Sequence, residues 1–137
     1  MKILVHALDS DEGRAAARRA IEEATLRGAE LVLASYVRID ADGGSPQRSS
    51  AAATARLEEL AQEAREAGVS EVITRVLPGV SGAAQELLDL VDTMGADLLV
   101  IGLRRRSRVG KLVLGSVSQE LLLGSSAAVL AVKAEEH

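Results

Sequence analysis

Five short apolar runs alternate along the chain with longer stretches in which apolar residues recur at helical spacing. Lys2 to Ala7 is the first run; it lacks helical periodicity and reads as a buried strand. Asp9-Ser10-Asp11-Glu12 follows, an acidic group of the kind that favours the positive end of a helix dipole. From Ala15 to Leu26, Ala16, Ala20, Ile21 and Ala24 share one side, and Gly28 offers a left-handed stop. Leu31 to Val37 predicts a second strand, and Asp40 to Gln47, with Gly43, Gly44 and Pro46, predicts a surface loop. Ser49 to Ala67 predicts a second helix, with Leu57, Leu60, Ala61 and Ala64 at core spacing and Gly68 as its stop. Val72 to Leu77 is the third strand. Ser81 is placed to cap a third helix that turns Ala84, Leu87, Leu88 and Val91 inward and ends near Gly95. Leu98 to Ile101 is the fourth strand and Ala127 to Val132 the fifth. Between them a short helix is expected from Val117 to Leu123, with Ser116 and Gln119 at capping-box spacing and Gly124 at its end.

Strands that are apolar throughout, alternating with helices, call for a parallel sheet covered on both faces. The expected architecture is α/β: a three-layer, doubly wound, Rossmann-like sheet of five parallel strands, in a single domain over residues 1–137. Aromatic residues make up only 1% of the chain against 47% apolar, so the core must be built from Leu, Val, Ile and Ala. The absence of cysteine excludes disulfides, thiolate metal sites and cysteine nucleophiles together. A net charge of -4 argues against nucleic-acid binding through the whole surface. No run approaches the roughly 20 apolar residues that span a bilayer, and the first run turns polar too soon for a signal peptide. A cytoplasmic protein without a membrane partner is expected.

Doubly wound sheets bind ligands beyond the C-terminal ends of their strands. The stretch from Gly102 to Ser118 leaves the fourth strand there and holds Arg104, Arg105, Arg106, Arg108 and Lys111, five of the sixteen Lys and Arg residues. Gly102 lets the backbone turn close to a ligand, while Gly115 and Ser116 place amides and a hydroxyl at a helix N-terminus, which favours phosphate. Arginines add fork-shaped donors to the same anion; taken alone, the cluster is equally a solvated basic loop. Gly110-Lys111 is not the end of a P-loop, because Leu112 stands where a hydroxyl is needed, and no Gly-x-Gly-x-x-Gly follows the first strand. His6 reads as a packed or hydrogen-bonded residue of the first strand, and no metal cluster or activated nucleophile is evident.

Val100-Ile101-Gly102, Leu114-Gly115-Ser116-Val117-Ser118 and Ala128-Val129-Leu130-Ala131-Val132 resemble the universal stress protein family, and the order of elements matches along the whole chain. The resemblance implies strand order 3-2-1-4-5, dimers paired through the fifth strand, and an ATP site whose motif puts glycine at positions 102, 105 and 115 and Ser or Thr at 116. Gly102, Gly115 and Ser116 keep that motif, whereas Arg105 occupies the middle glycine position. The family's Asp after the first strand falls on Leu8, with Asp9 one position later; Asp9 also has capping-box spacing to Glu12. The implied site places Ala7, Leu8, Asp9 and Tyr36 toward the nucleoside and Gly102, Arg105, Gly115, Ser116, Val117 and Ser118 toward the phosphates, which would carry Mg²⁺. A stress-response regulatory module is expected, with at most weak ATP hydrolysis. The alternative is a nucleotide-free dimeric interaction module in which Arg105 and Leu8 fill the crevice. Either reading expects a homodimer through Ala127 to Val132, an apolar strand that would otherwise be a bare sheet edge.

Overall fold

The structure is a computed structural model and describes residues 1–37, 46–105 and 112–134. Its elements in chain order are β1 (Lys2–His6), α1 (Asp11–Arg27), β2 (Glu30–Tyr36), α2 (Pro46–Glu66), β3 (Val72–Leu77), α3 (Ala83–Met94), β4 (Leu98–Arg105), β5 (Leu112–Val113), α4 (Ser116–Gly124) and β6 (Ala128–Lys133). Part of the expected loop, 40–45, lies outside the described residues, as do Arg106, Arg108, Lys111 and His137.

Five strands run parallel in the order β3-β2-β1-β4-β6, the 3-2-1-4-5 arrangement once the two-residue β5 is set aside. β1 is central, with Leu4 opposite Val32 of β2 on one side and Leu99 of β4 on the other. β4 continues past the expected end at Ile101 and pairs antiparallel with β5, Arg104 against Val113 and Arg105 against Leu112. Two residues are too few to carry a strand period, so β5 left no pattern in the sequence.

Side chains alternate across the sheet and build two cores. Ile3, Val5, Leu31 and Leu33 meet Ala16, Ala17 and Ala20 of α1 and Leu57 and Ala61 of α2. Leu4, Val32, Leu99 and Ile101 meet Ala84, Leu87 and Val91 of α3 and Leu121 of α4 on the other face. Ala16, Ala17 and Ala20 of α1 are fully buried, which lets that helix lie close against the strands with little side chain between.

Helix ends follow the expected chemistry in part. Gly28 and Gly95 adopt the left-handed conformation, with φ of 62° and 65°, after α1 and α3. α1 is capped by Ser10, whose Oγ accepts from the Gly13 amide at 3.0 Å, and not by Asp9. α2 starts at Pro46 rather than near Ser49; proline suits a first helical position, where an amide would lack a partner anyway. Ser81 does not cap α3, whose N-cap is Gly82 with no side-chain bond. Ser116 is the first residue of α4 and Gly115 its N-cap, so the expected capping box with Gln119 does not form. Gly124 lies inside α4 rather than closing it. A Cβ there would stand 2.8 Å from Leu88 Cδ1, so this glycine lets α4 settle on α3. Among the described residues no helix is long and apolar enough to cross a membrane, and no group of His, Cys, Asp and Glu could hold a metal ion.

Candidate functional site

A cavity of about 350 Å³ lies over the C-terminal ends of the central strands. β1 and its exit contribute His6 and Leu8, and β2 contributes Tyr36. Glu12 and Gly13 come from the first turn of α1, Gly102 and Arg104 from β4, and Leu114 to Ser118 from the approach to α4 and its first turn. This is where strand order reverses between β1 and β4, the ligand position of doubly wound sheets.

Three glycines on this wall play different parts. A Cβ on Gly13 would run into the Leu8 carbonyl, and one on Gly102 into the Glu12 backbone carbonyl. Those two positions therefore hold the start of α1 flush against the strand ends. Gly115 has φ -65° and ψ 163°, which any residue adopts, and among the described residues no atom beyond its chain neighbours lies within 4 Å of a Cβ built on it. Neither backbone strain nor close contact with a described residue requires a glycine there.

The N-cap of α4, Gly115, has no side chain to cap it, and among the described residues nothing bonds the first-turn amides, which keeps their hydrogen-bonding capacity toward an anion. Ser118 Oγ donates to the Gly102 carbonyl at 3.4 Å and ties that turn to β4. Across the cavity, Arg104 donates to Glu12 Oε1 through Nε at 3.2 Å and Nη2 at 3.0 Å. Burial pushes the Glu12 carboxyl up, but hydrogen bonds from its own backbone amide, Arg104 and Ser10, with the Arg104 charge, outweigh it and the net shift is downward. Glu12 is therefore an anion in this wall, and the Arg104 fork is already engaged.

His6 is 6% exposed, and its ring stacks on Tyr36 with centroids 5.6 Å apart and planes at 28°. Burial, then the Arg56 charge, lower its pKa to about 4 against an opposing pull from Glu12, so the imidazole is neutral near pH 7. Its Nε2 is buried and has no hydrogen-bond partner among the described residues. The expectation of a packed histidine holds for the ring and not for this nitrogen.

Of the residues expected in the site, Leu8, Tyr36, Gly102, Gly115, Ser116, Val117 and Ser118 line the cavity. Ala7 is fully buried in the core on the α1 side, its amide bonded to the Ala34 carbonyl. Asp9 is exposed, points its Oδ1 to Arg14 Nη1 at 3.2 Å, and does not line the cavity. Arg105 has its backbone on the β4–β5 ladder. His6, Glu12, Gly13, Arg104 and Leu114 belong to the wall as well. The helix-dipole pattern marked Glu12 only as part of a helix start, and nothing local links it to Arg104.

A doubly wound sheet with a glycine-headed helix N-terminus at its switch point is a frame whose geometry suits an anion. The model of the universal stress protein family matches residues 1–133, and the chain belongs to that family. A universal stress protein from Mycolicibacterium smegmatis is 40% identical over 122 residues, 88% of each chain. The universal stress protein of Archaeoglobus fulgidus superposes with a TM-score of 0.78 at 26% identity, over 96% of this chain and 97% of that one. A universal stress protein in complex with cAMP superposes with a TM-score of 0.70 at 28% identity over 98% of both chains.

Proposed function

We propose that this chain is a stress-response regulatory module that binds an adenine nucleotide in the strand-end cavity, with ATP and its Mg²⁺ as the leading ligand. Phosphates would take the amides of Ser116, Val117 and Ser118, and the nucleoside would extend toward Leu8 and Tyr36. The observation that carries this reading is Gly115, a glycine that neither its backbone angles nor its protein neighbours demand, at the head of an uncapped helix facing a cavity. The cAMP complex of a relative at 28% identity supports adenine as the base. Calorimetry of ATP with Mg²⁺ against nucleotide-stripped protein tests it: saturable binding is expected, and no heat of binding at millimolar ATP would overturn it.

Two features favour a second reading, a nucleotide-free interaction module. Leu8 puts an alkyl side chain on the wall where the family resemblance expects a carboxylate, and Arg104 is already paired with Glu12. A native mass spectrum of freshly purified protein carrying nucleotide would remove this reading. Both readings treat residues 1–137 as one module that pairs through β6.

A further inference from the structure

The His6 nitrogen is the unexplained atom of the cavity. A buried polar group without a partner is disfavoured by desolvation, and native proteins carry few of them. His6 continues the alternation that puts Leu4 in the core of the α3 and α4 face, as Tyr36 continues that of Val32 and Ala34. The two rings therefore stand together at the strand ends, on the same side as α4. Here the cavity divides by chemistry. At one end lie the first-turn amides of α4, which nothing among the described residues bonds, suited to an anion. At the other lie Leu8, Tyr36 and the neutral ring of His6, suited to a flat, polar-edged heterocycle.

We propose that His6 Nε2 is a base-reading contact, making the hydrogen bond that the buried imidazole lacks to the polar edge of the purine or its sugar. This rests on the nucleotide reading above and assigns the recognition of the nucleoside to a residue outside the family motif. The stacked Tyr36 ring holds the imidazole plane, so the nitrogen meets the ligand with little rotational freedom left to lose. Leu8 offers no polar group at the neighbouring strand exit, which leaves His6 as the side chain there whose nitrogen awaits a partner.

The test is calorimetric titration of adenosine and of ATP with Mg²⁺ into nucleotide-stripped wild-type protein and the variants His6→Phe and His6→Gln. Phe keeps a stacked ring and removes the nitrogen; Gln removes the ring and returns an amide near the Nε2 position. His6→Phe should weaken both ligands by the same factor, roughly tenfold, the equivalent of one hydrogen bond. His6→Gln should stay within roughly threefold of wild type on the same scale. The melting temperature of His6→Phe should equal or exceed that of wild type, because an unpaired buried nitrogen has been deleted. Equal ATP affinity in wild type and His6→Phe would overturn the His6 role while leaving the nucleotide reading intact, with water as the partner of Nε2. His6→Gln binding as weakly as His6→Phe would overturn it too, since ring shape and not the hydrogen bond would then matter. Absence of binding by wild type would overturn the nucleotide reading and this inference with it.

Discussion

Gly102 and Gly115 share a motif and separate by mechanism. Gly102→Ala forces a methyl into the Glu12 carbonyl, and overpacking of this kind costs about 2–3 kcal/mol in a urea unfolding experiment. Gly115→Ala meets open space, so its stability should fall by less than about 1 kcal/mol while nucleotide affinity falls, because the methyl enters the ligand's volume. Both glycines were legible in the sequence; their different reasons were not, since the obstacle to a Cβ at 102 is a backbone carbonyl of another element. The Glu12 and Arg104 pair was hidden for the same reason: its members stand 92 positions apart. His6 gives a pH signature. Its folded pKa of about 4 lies below the ordinary 6.5, so between those values the unfolded chain binds the proton and the folded one does not. Stability attributable to His6 is complete above pH 6.5 and declines as pH falls toward 4, by up to about 3 kcal/mol. The difference between wild-type and His6→Phe unfolding free energies, followed from pH 7 to 4, should show that slope; parallel curves would refute it.

Among the elements, strands were read most closely. β3 occupies the expected Val72 to Leu77, because a short apolar run closed by Pro78-Gly79 has few other solutions. Helix C-termini at Gly28 and Gly95 were equally plain, since a left-handed residue is needed and glycine supplies it. N-termini were less so: Asp9, Ser10 and Asp11 are all capping residue types, and only the approach of Gly13 to the Leu8 carbonyl selects Ser10. Ser10→Ala should therefore lower stability by about 1 kcal/mol, whereas Asp9→Ala, which loses only an exposed ion pair, should change it by less than about 0.5 kcal/mol. Thermal unfolding of the two variants side by side checks the assignment. At α3 and α4 the serines nearest the start proved not to be caps, because a glycine precedes each first turn in the conformation required.

At the scale of the molecule, β6 pairs on one side with β4, and Ala128, Ala131 and Lys133 along it are exposed. An apolar strand with a bare edge favours pairing with a second copy. Light scattering at micromolar concentration should give twice the chain mass; the mass of a single chain would refute the proposed dimer. The doubly wound order was readable because apolar strands alternating with amphipathic helices leave few topologies. The cavity wall was readable from Gly102 to Ser118, where one stretch of chain supplies several of its residues, and at Leu8 and Tyr36 through the family resemblance. That wall draws on α1, whose alanines fill one core, and on α4, whose Leu121 fills the other. An occupant touching Glu12 and Ser116 at once would act as a rivet through the sheet's end, so that filling a single small hole would be felt on both outer faces of the protein.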